Sequence, residues 1–190
     1  MYSKIGILRE GKNPPDKRVA LTPAQCLEVM QRYPGTDVVV QRSPARAITD
    51  AEYEAAGVRL TDDLSDRDLL IGVKEVPVDM LLEGRSYQFF SHTIKQQPHN
   101  RKLLQAILAK RIRMIDHELL TDPKGDRVLA FGKWAGVVGA YNAFRSWQAT
   151  EGGPYLKPAY QCHDRAEMEQ HLHAYPMPKD LRIVMTGGGR

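Results

Sequence analysis

Two apolar runs, residues 69–73 (LLIGV) and 87–90 (YQFF), constrain this chain more than any other feature. The first runs into Lys74-Glu75 and the second into Ser91-His92, and the segment between them has room only for a short helical connection after Pro77. Continuous apolar runs of this length, rather than alternating ones, belong to strands buried on both faces, and a helical link between two of them makes the pair parallel. Parallel strands release their next residues at one edge of the sheet. Lys74, Glu75 and His92 are therefore expected to leave neighbouring strand ends into one cleft.

The rest of the chain supports an α/β arrangement. Residues 4–8 form a short apolar strand. The polar loop that follows, residues 9–18, contains Pro14-Pro15, which prevents helix and ladder alike, so Arg9, Glu10, Lys12, Lys17 and Arg18 are expected to be presented without burial. Thr22-Pro23 opens a helix, with Thr as N-cap and Pro at the first position, and Gly35 closes it. Residues 37–41 carry VVV at the centre of a strand, and Thr49 with Glu52 makes a capping box for a short helix stopped by Gly57. This is β-α-β-α order from the outset. Leu103, Leu104, Ile107 and Leu108 fall at helical spacing over 98–110, residues 113–116 form another strand ending in Asp116, His117 and Glu118, and Asp122-Pro123-Lys124-Gly125 turns the chain into a hairpin resumed at 127–130.

Further on, Ala135, Gly136, Gly139, Ala140 and Ala143 give residues 132–147 a helix able to approach another backbone closely. A Gly- and Pro-rich stretch at 150–158 marks a boundary, residues 163–173 form a helix, and 181–186 form a strand running into Gly187, Gly188, Gly189 and Arg190. A strand entering a glycine cluster is how a dinucleotide-binding fold begins, because glycines permit the tight turn and the close approach of pyrophosphate to a helix N-terminus. The expected organisation is a substrate domain over 1–150, a linker over 151–180, and the truncated start of an NAD(P)-binding domain over 181–190, completed by a continuation of the chain or by a partner.

Charge and composition narrow the partners. The 190 residues carry 27 Lys and Arg against 23 Asp and Glu, a net charge of +4, and the basic residues are interspersed with acidic ones except near 95–113. No nucleic-acid motif accompanies them, so a basic cleft for a small polycarboxylate suits the balance better than nucleic acid. No segment is long and apolar enough for a signal peptide or a membrane span, and a cytoplasmic protein is expected. Cys26 and Cys162 stand far apart with no metal-ligand spacing around either. His117 lacks a second histidine at ligand spacing, so no metal is expected; His99, His163, His171 and His173 read as surface residues.

The stretches ILRE...KRVALTP, IGVKEVP, FFSHTIK, MIDHELL, GDRVLAFGKWAGVVGA and the final IVMTGGGR resemble the amino-terminal part of the alanine dehydrogenase and transhydrogenase superfamily. Within it the chain looks most like lysine-forming saccharopine dehydrogenase and the lysine-ketoglutarate reductase domains. ALTP and GVKEVP are shared across the superfamily; His92-x-x-Lys95 and the stretch RVLAFGKWAG point to the saccharopine branch. The resemblance implies a Rossmann-like (flavodoxin-like) parallel-sheet substrate domain followed by a dinucleotide domain that binds NAD or NADP.

It also implies roles. Saccharopine joins lysine to the α-carbon of glutamate through a secondary amine and carries three carboxylates; its oxidation leaves an imine that water splits into lysine and 2-oxoglutarate. Lys74 is expected to accept the amine proton, which asks for a lowered lysine pKa supplied by burial and by a neighbouring cation such as Arg18, and His92 to handle protons for the attacking water. Glu75 is expected to hold Lys74, Glu118 to meet the lysyl ammonium, Arg18 and Arg127 to bind carboxylates, Lys95 to add positive potential, and Gly187, Gly188, Gly189 and Arg190 to meet the cofactor. Two other readings share the same residues: an alanine dehydrogenase-like enzyme with a one-carboxylate substrate, and a non-catalytic binding or regulatory module that lacks the cofactor domain. A homo-oligomer fits any of them.

Overall fold

Parallel pairing accounts for every ladder in the first part of the chain. A computed structural model describes residues 2–152, 156–175 and 178–186. The chain divides into two units, Met1–Leu129 and Ala130–Arg190. In the first, β1 (Lys4–Ile7), β2 (Asp37–Gln41), β3 (Arg59–Thr61), β4 (Leu69–Ile71), β5 (Ser86–Phe89) and β6 (Arg113–Asp116) make a six-stranded sheet in the order β3-β2-β1-β4-β5-β6. All of its pairs are parallel. The chain moves outward from β1 to β3, returns to the other side of β1, and moves outward again through β6. The reversal between β1 and β4 opens a crevice at their carboxyl ends, where doubly wound sheets bind ligands.

Helices cover both faces. α1 (Pro23–Arg32) begins at the expected N-cap Thr22, which the structure extends to a capping box with Gln25, and α2 (Asp50–Ala55) at the expected box of Thr49 and Glu52: the Thr22 hydroxyl accepts from the Gln25 amide at 3.3 Å, and the Thr49 amide donates to Glu52 Oε2 at 2.7 Å. Gly35 and Gly57 follow them in the left-handed region, at φ +89° and +84°. Cys26 of α1 and Tyr53 of α2 pack with Ile5, Ile7, Val38 and Val40 on one face; Leu103 and Ile107 of α3 (Arg101–Ala109) pack with Val39, Leu70, Tyr87 and Phe89 on the other. The period of two in β2 divides its valines between the faces, which is why the VVV run is apolar throughout. Leu70 is fully buried, and trimming it to Ala costs about 2–5 kcal/mol by the usual core rule.

Several expectations need correction. β3, for which the sequence offers no strand signal, is a strand of three residues at the sheet edge, too short to carry an alternating pattern. β4 is shorter than its apolar run and β5 is set one residue earlier than its own, so both runs continue into the loops at the carboxyl edge. The hairpin after β6 is a tight loop with one antiparallel bridge, Thr121 to Arg127, and it does not extend the sheet. α3 buries only the Leu103 and Ile107 row; Leu104 and Leu108 face outward.

The second unit holds α4 (Gly132–Glu151) and α5 (Arg165–Ala174), with a 3-10 turn at Ala159–Gln161. Its core is Tyr141, Leu156 and Met168. Gln148 is buried inside it and accepts from the Leu156 amide at 2.7 Å. The expected close approach along α4 is not made within this unit: a Cβ added at Gly136 or Gly139 meets nothing. Residues 181–186 form no strand, and Val184 and Met185 are exposed, because no described strand lies beside them to complete a ladder. Gly187, Gly188, Gly189 and Arg190 lie outside the described residues. No helix among the described residues is long and apolar enough to cross a membrane.

Candidate active site

The loops leaving β1, β4, β5 and β6 at their carboxyl ends bring the ionisable residues together in three groups. The first lies at the switch point itself. Glu10, two residues past Leu8, turns its carboxylate onto the start of the β4 loop, where Oε1 accepts from the Val73 amide at 2.7 Å and Oε2 from the Lys74 amide at 2.8 Å. Gly72 makes room for this, since a Cβ there would stand 3.3 Å from Glu10 Oε1. Burial pushes the Glu10 carboxyl above its ordinary value, outweighing the two amide bonds that favour its charge. The loop therefore half-buries one of its charged residues, against expectation, because unpaired strand-end amides are the better partner for it. Lys74 is half-buried, and among the described residues its ammonium has no hydrogen bond or ion pair. Arg18, expected as a bare cation beside it, instead holds Asp16 through Nε and Nη2 in a two-pronged pair. That pair draws the Asp16 carboxyl below its ordinary value, chiefly through the Arg18 hydrogen bond, and Lys74 acts on Asp16 in the same direction.

The second group joins β4 to β5. His92 Nδ1 lies 2.5 Å from Glu75 Oε1, and Lys12 Nζ lies 3.1 Å from Glu75 Oε2. Burial alone would raise the Glu75 carboxyl, but the bonds from His92, its own backbone and Lys12 outweigh it and hold the group at about 2. An ionised carboxylate can only accept, so Nδ1 carries a proton and Nε2 is the ring nitrogen left for exchange. Glu75 thus orients His92 and does not bind Lys74, a correction set by geometry: adjacent side chains leave a strand end in different directions. His92 sits in the left-handed region at φ 53°, and its ring stacks on Phe90 at a centroid distance of 6.3 Å. A residue held at such a φ is overdetermined by its surroundings, as active-site residues often are.

The third group belongs to β6. Glu118 is buried, with 4% of its side chain exposed; its Oε1 lies 3.1 Å from Lys95 Nζ and 3.4 Å from Arg127 Nη2. Oε2 is shut from solvent and has no hydrogen-bond partner. Arg127 itself is exposed at the loop bridge. Ser91 donates to Asp116 across β5 and β6 and lies 2.7 Å from Thr93 Oγ1, fixing the start of the His92 loop. His117 is buried edge-on to Phe90 at 5.0 Å, and burial lowers its pKa despite Asp116 beside it, so it is a core histidine.

The sequence placed Lys74, His92, Glu75, Lys95, Glu118, Arg18 and Arg127 at this edge, and all seven lie on its loops. It did not single out Glu10, Lys12, Asp16, Ser91 or Asp116. The available signal was weak: two acidic residues in a basic, proline-interrupted loop directly after the central strand.

Fold and site together define an α/β domain that gathers ionisable side chains at the carboxyl ends of a doubly wound parallel sheet. The chain belongs to the family described as alanine dehydrogenase/PNT, N-terminal domain, whose sequence profile matches residues 6–138. It is 43% identical over 141 residues to an alpha-aminoadipic semialdehyde synthase of Arabidopsis thaliana, covering 71% of this chain and 13% of that protein. It is 30% identical over 197 aligned positions to a saccharopine dehydrogenase (NAD(+), L-lysine-forming) of Yarrowia lipolytica, covering 96% of this chain and 50% of that protein. A solved L-alanine dehydrogenase shares its fold, with a TM-score of 0.61 at 19% identity over 80% of this chain and 43% of the other. The chain spans half or less of the length of these relatives.

Proposed function

We propose that this chain is the substrate-binding and proton-handling half of an NAD(P)-dependent oxidoreductase that interconverts saccharopine with lysine and 2-oxoglutarate. The carrying observation is the convergence of Lys74, the His92–Glu75 pair and the Glu118–Lys95–Arg127 cluster at one sheet edge beside the switch point. A lysine-forming saccharopine dehydrogenase and an aminoadipic semialdehyde synthase among the relatives support the substrate. A nicotinamide cofactor would supply the hydride acceptor, and a dinucleotide domain after residue 180 would hold it.

The residues of this chain do the rest. Lys74, as its neutral amine, takes the proton of the secondary amine at Nζ as the substrate nitrogen becomes an imine. His92, held through Nδ1 by Glu75, removes a proton at Nε2 from the water that attacks the imine carbon. Glu118 supplies the negative charge for the ammonium of the lysyl part, and Lys95, Arg127 and Arg18 set a positive potential for the carboxylates. Arg18 meets a substrate carboxylate by sharing its guanidinium with Asp16.

Calorimetric titration of the chain with saccharopine, 2-oxoglutarate and pyruvate tests this reading. Saccharopine is expected to bind at least tenfold more tightly than pyruvate; equal or weaker binding would remove it as the substrate.

A further inference from the structure

The second unit contains a group of side chains that the proposed chemistry does not use. Cys162, at the end of the 3-10 turn, meets Glu167 in the first turn of α5 and His171 in its last, and one ligand atom from each lies within 4.8 Å of the other two. Glu167 and His171 are four residues apart, which puts both on one helix face, and the turn carries Cys162 back over that face. His171 Nε2 is shut from solvent, makes no hydrogen bond among the described residues, and lies 3.5 Å from Glu167 Oε1. The Cys162 thiol has only a long contact to the Pro158 carbonyl, at 3.6 Å, besides the Tyr141 hydroxyl near it. The spacing, Cys-x4-Glu-x3-His, matches none of the usual finger patterns, and the sequence accordingly gave no metal-ligand spacing around Cys162.

We propose that Cys162, Glu167 and His171 form a three-ligand site for Zn²⁺. A thiolate, an imidazole and a carboxylate are the donor set that a borderline-soft divalent ion of tetrahedral preference takes, with the fourth position left for water or another ligand. Bound ligand atoms stand about 3.3–3.8 Å apart around zinc, so the group must close by about one ångström, within reach of side-chain rotation. Lys157 is the competing cation. Its ammonium lies on Glu167 Oε1, while the His163 amide donates to Oε2. Zinc therefore displaces Lys157 from Oε1, leaving the amide bond in place. The ion then joins the turn to α5, two segments otherwise linked by this carboxylate and by the packing of Cys162 and Leu172 around Tyr141.

Co²⁺ titration of the metal-free 190-residue chain reads the site directly, because cobalt reports a thiolate ligand by a charge-transfer absorption. One equivalent of Co²⁺ is expected to produce that absorption, and Zn²⁺ to abolish it. Cys26 is buried in the other unit with its thiol pushed up to about 11, so the band reports Cys162. Cys162→Ser is expected to remove the band and weaken Zn²⁺ at least tenfold, His171→Gln to weaken it similarly, and Lys157→Met to strengthen it severalfold by removing the competitor. The half-exposed His171→Gln keeps the test open if the cysteine variant folds poorly. No charge-transfer band in the unaltered chain, or Zn²⁺ affinity unchanged by both Cys162→Ser and His171→Gln, would overturn the assignment.

Discussion

His92 Nδ1 and Glu75 Oε1 stand 2.5 Å apart, bridging the carboxyl ends of β4 and β5. The contact ties the proton-handling histidine to the loop that carries Lys74, and it gives the carboxylate a measurable signature. In the folded chain Glu75 titrates at about 2 against an ordinary 4.5. The unfolded chain therefore binds more protons in that interval. Stability from this group is complete above about pH 4.5 and is lost as pH falls toward 2. Glu75→Gln should flatten that acid slope and cost about 1–3 kcal/mol near neutrality, as a hydrogen bond to a charged group does. Denaturant unfolding of both proteins at pH 3 and pH 6 measures it; an unchanged acid slope in the variant would show that the pair does not carry the pH dependence.

Gly72 gives a second prediction. Its substitution by Ala places a methyl 3.3 Å from Glu10 Oε1 and 3.3 Å from Leu8 Cδ1. The carboxylate must move off the Val73 and Lys74 amides or the leucine must shift. We expect Gly72→Ala to lower stability by about 1–3 kcal/mol, the usual range for overpacking, and to speed hydrogen exchange at the Val73 and Lys74 amides selectively. Uniform exchange across the sheet would place the loss elsewhere.

Glu118 separates the two halves of the proposed substrate. Glu118→Gln keeps the shape but removes the negative charge proposed to attract the lysyl ammonium. Lysine binding should weaken about tenfold, or 1.4 kcal/mol, while 2-oxoglutarate binding should be unchanged or tightened as the positive field of Lys95 and Arg127 is released. Calorimetry with each ligand decides; parallel weakening of both would point to a general packing role.

The parts of the fold that were legible were those written in local chemistry. Thr22 announced α1 as an N-cap before Pro23, Thr49 announced α2 through its capping box, and the VVV of β2 announced a strand. The strand ends carrying Lys74 and His92 were legible for the same reason, as apolar runs stopping at charge. Partnerships across the sheet were not. Glu10 satisfies amides 63 and 64 positions away, and a backbone donor leaves no mark in the side-chain pattern. Glu75 reads as a neighbour of Lys74 but turns to His92. β3 is three residues long, and residues 181–186 have the composition of a strand without a described strand to pair with.

Lys74→Met tests the central claim most directly. The Lys74 ammonium has no partner among the described residues, so the substitution should change stability by no more than about 0.5 kcal/mol. Turnover of lysine plus 2-oxoglutarate with reduced nicotinamide, measured with this chain joined to a dinucleotide-binding domain, should fall by about 10²–10⁴-fold, the usual contribution of a positioned acid–base group. Saccharopine should still bind. Turnover retained within a fewfold, or an unaltered protein that reduces only pyruvate with ammonia, would contradict the account.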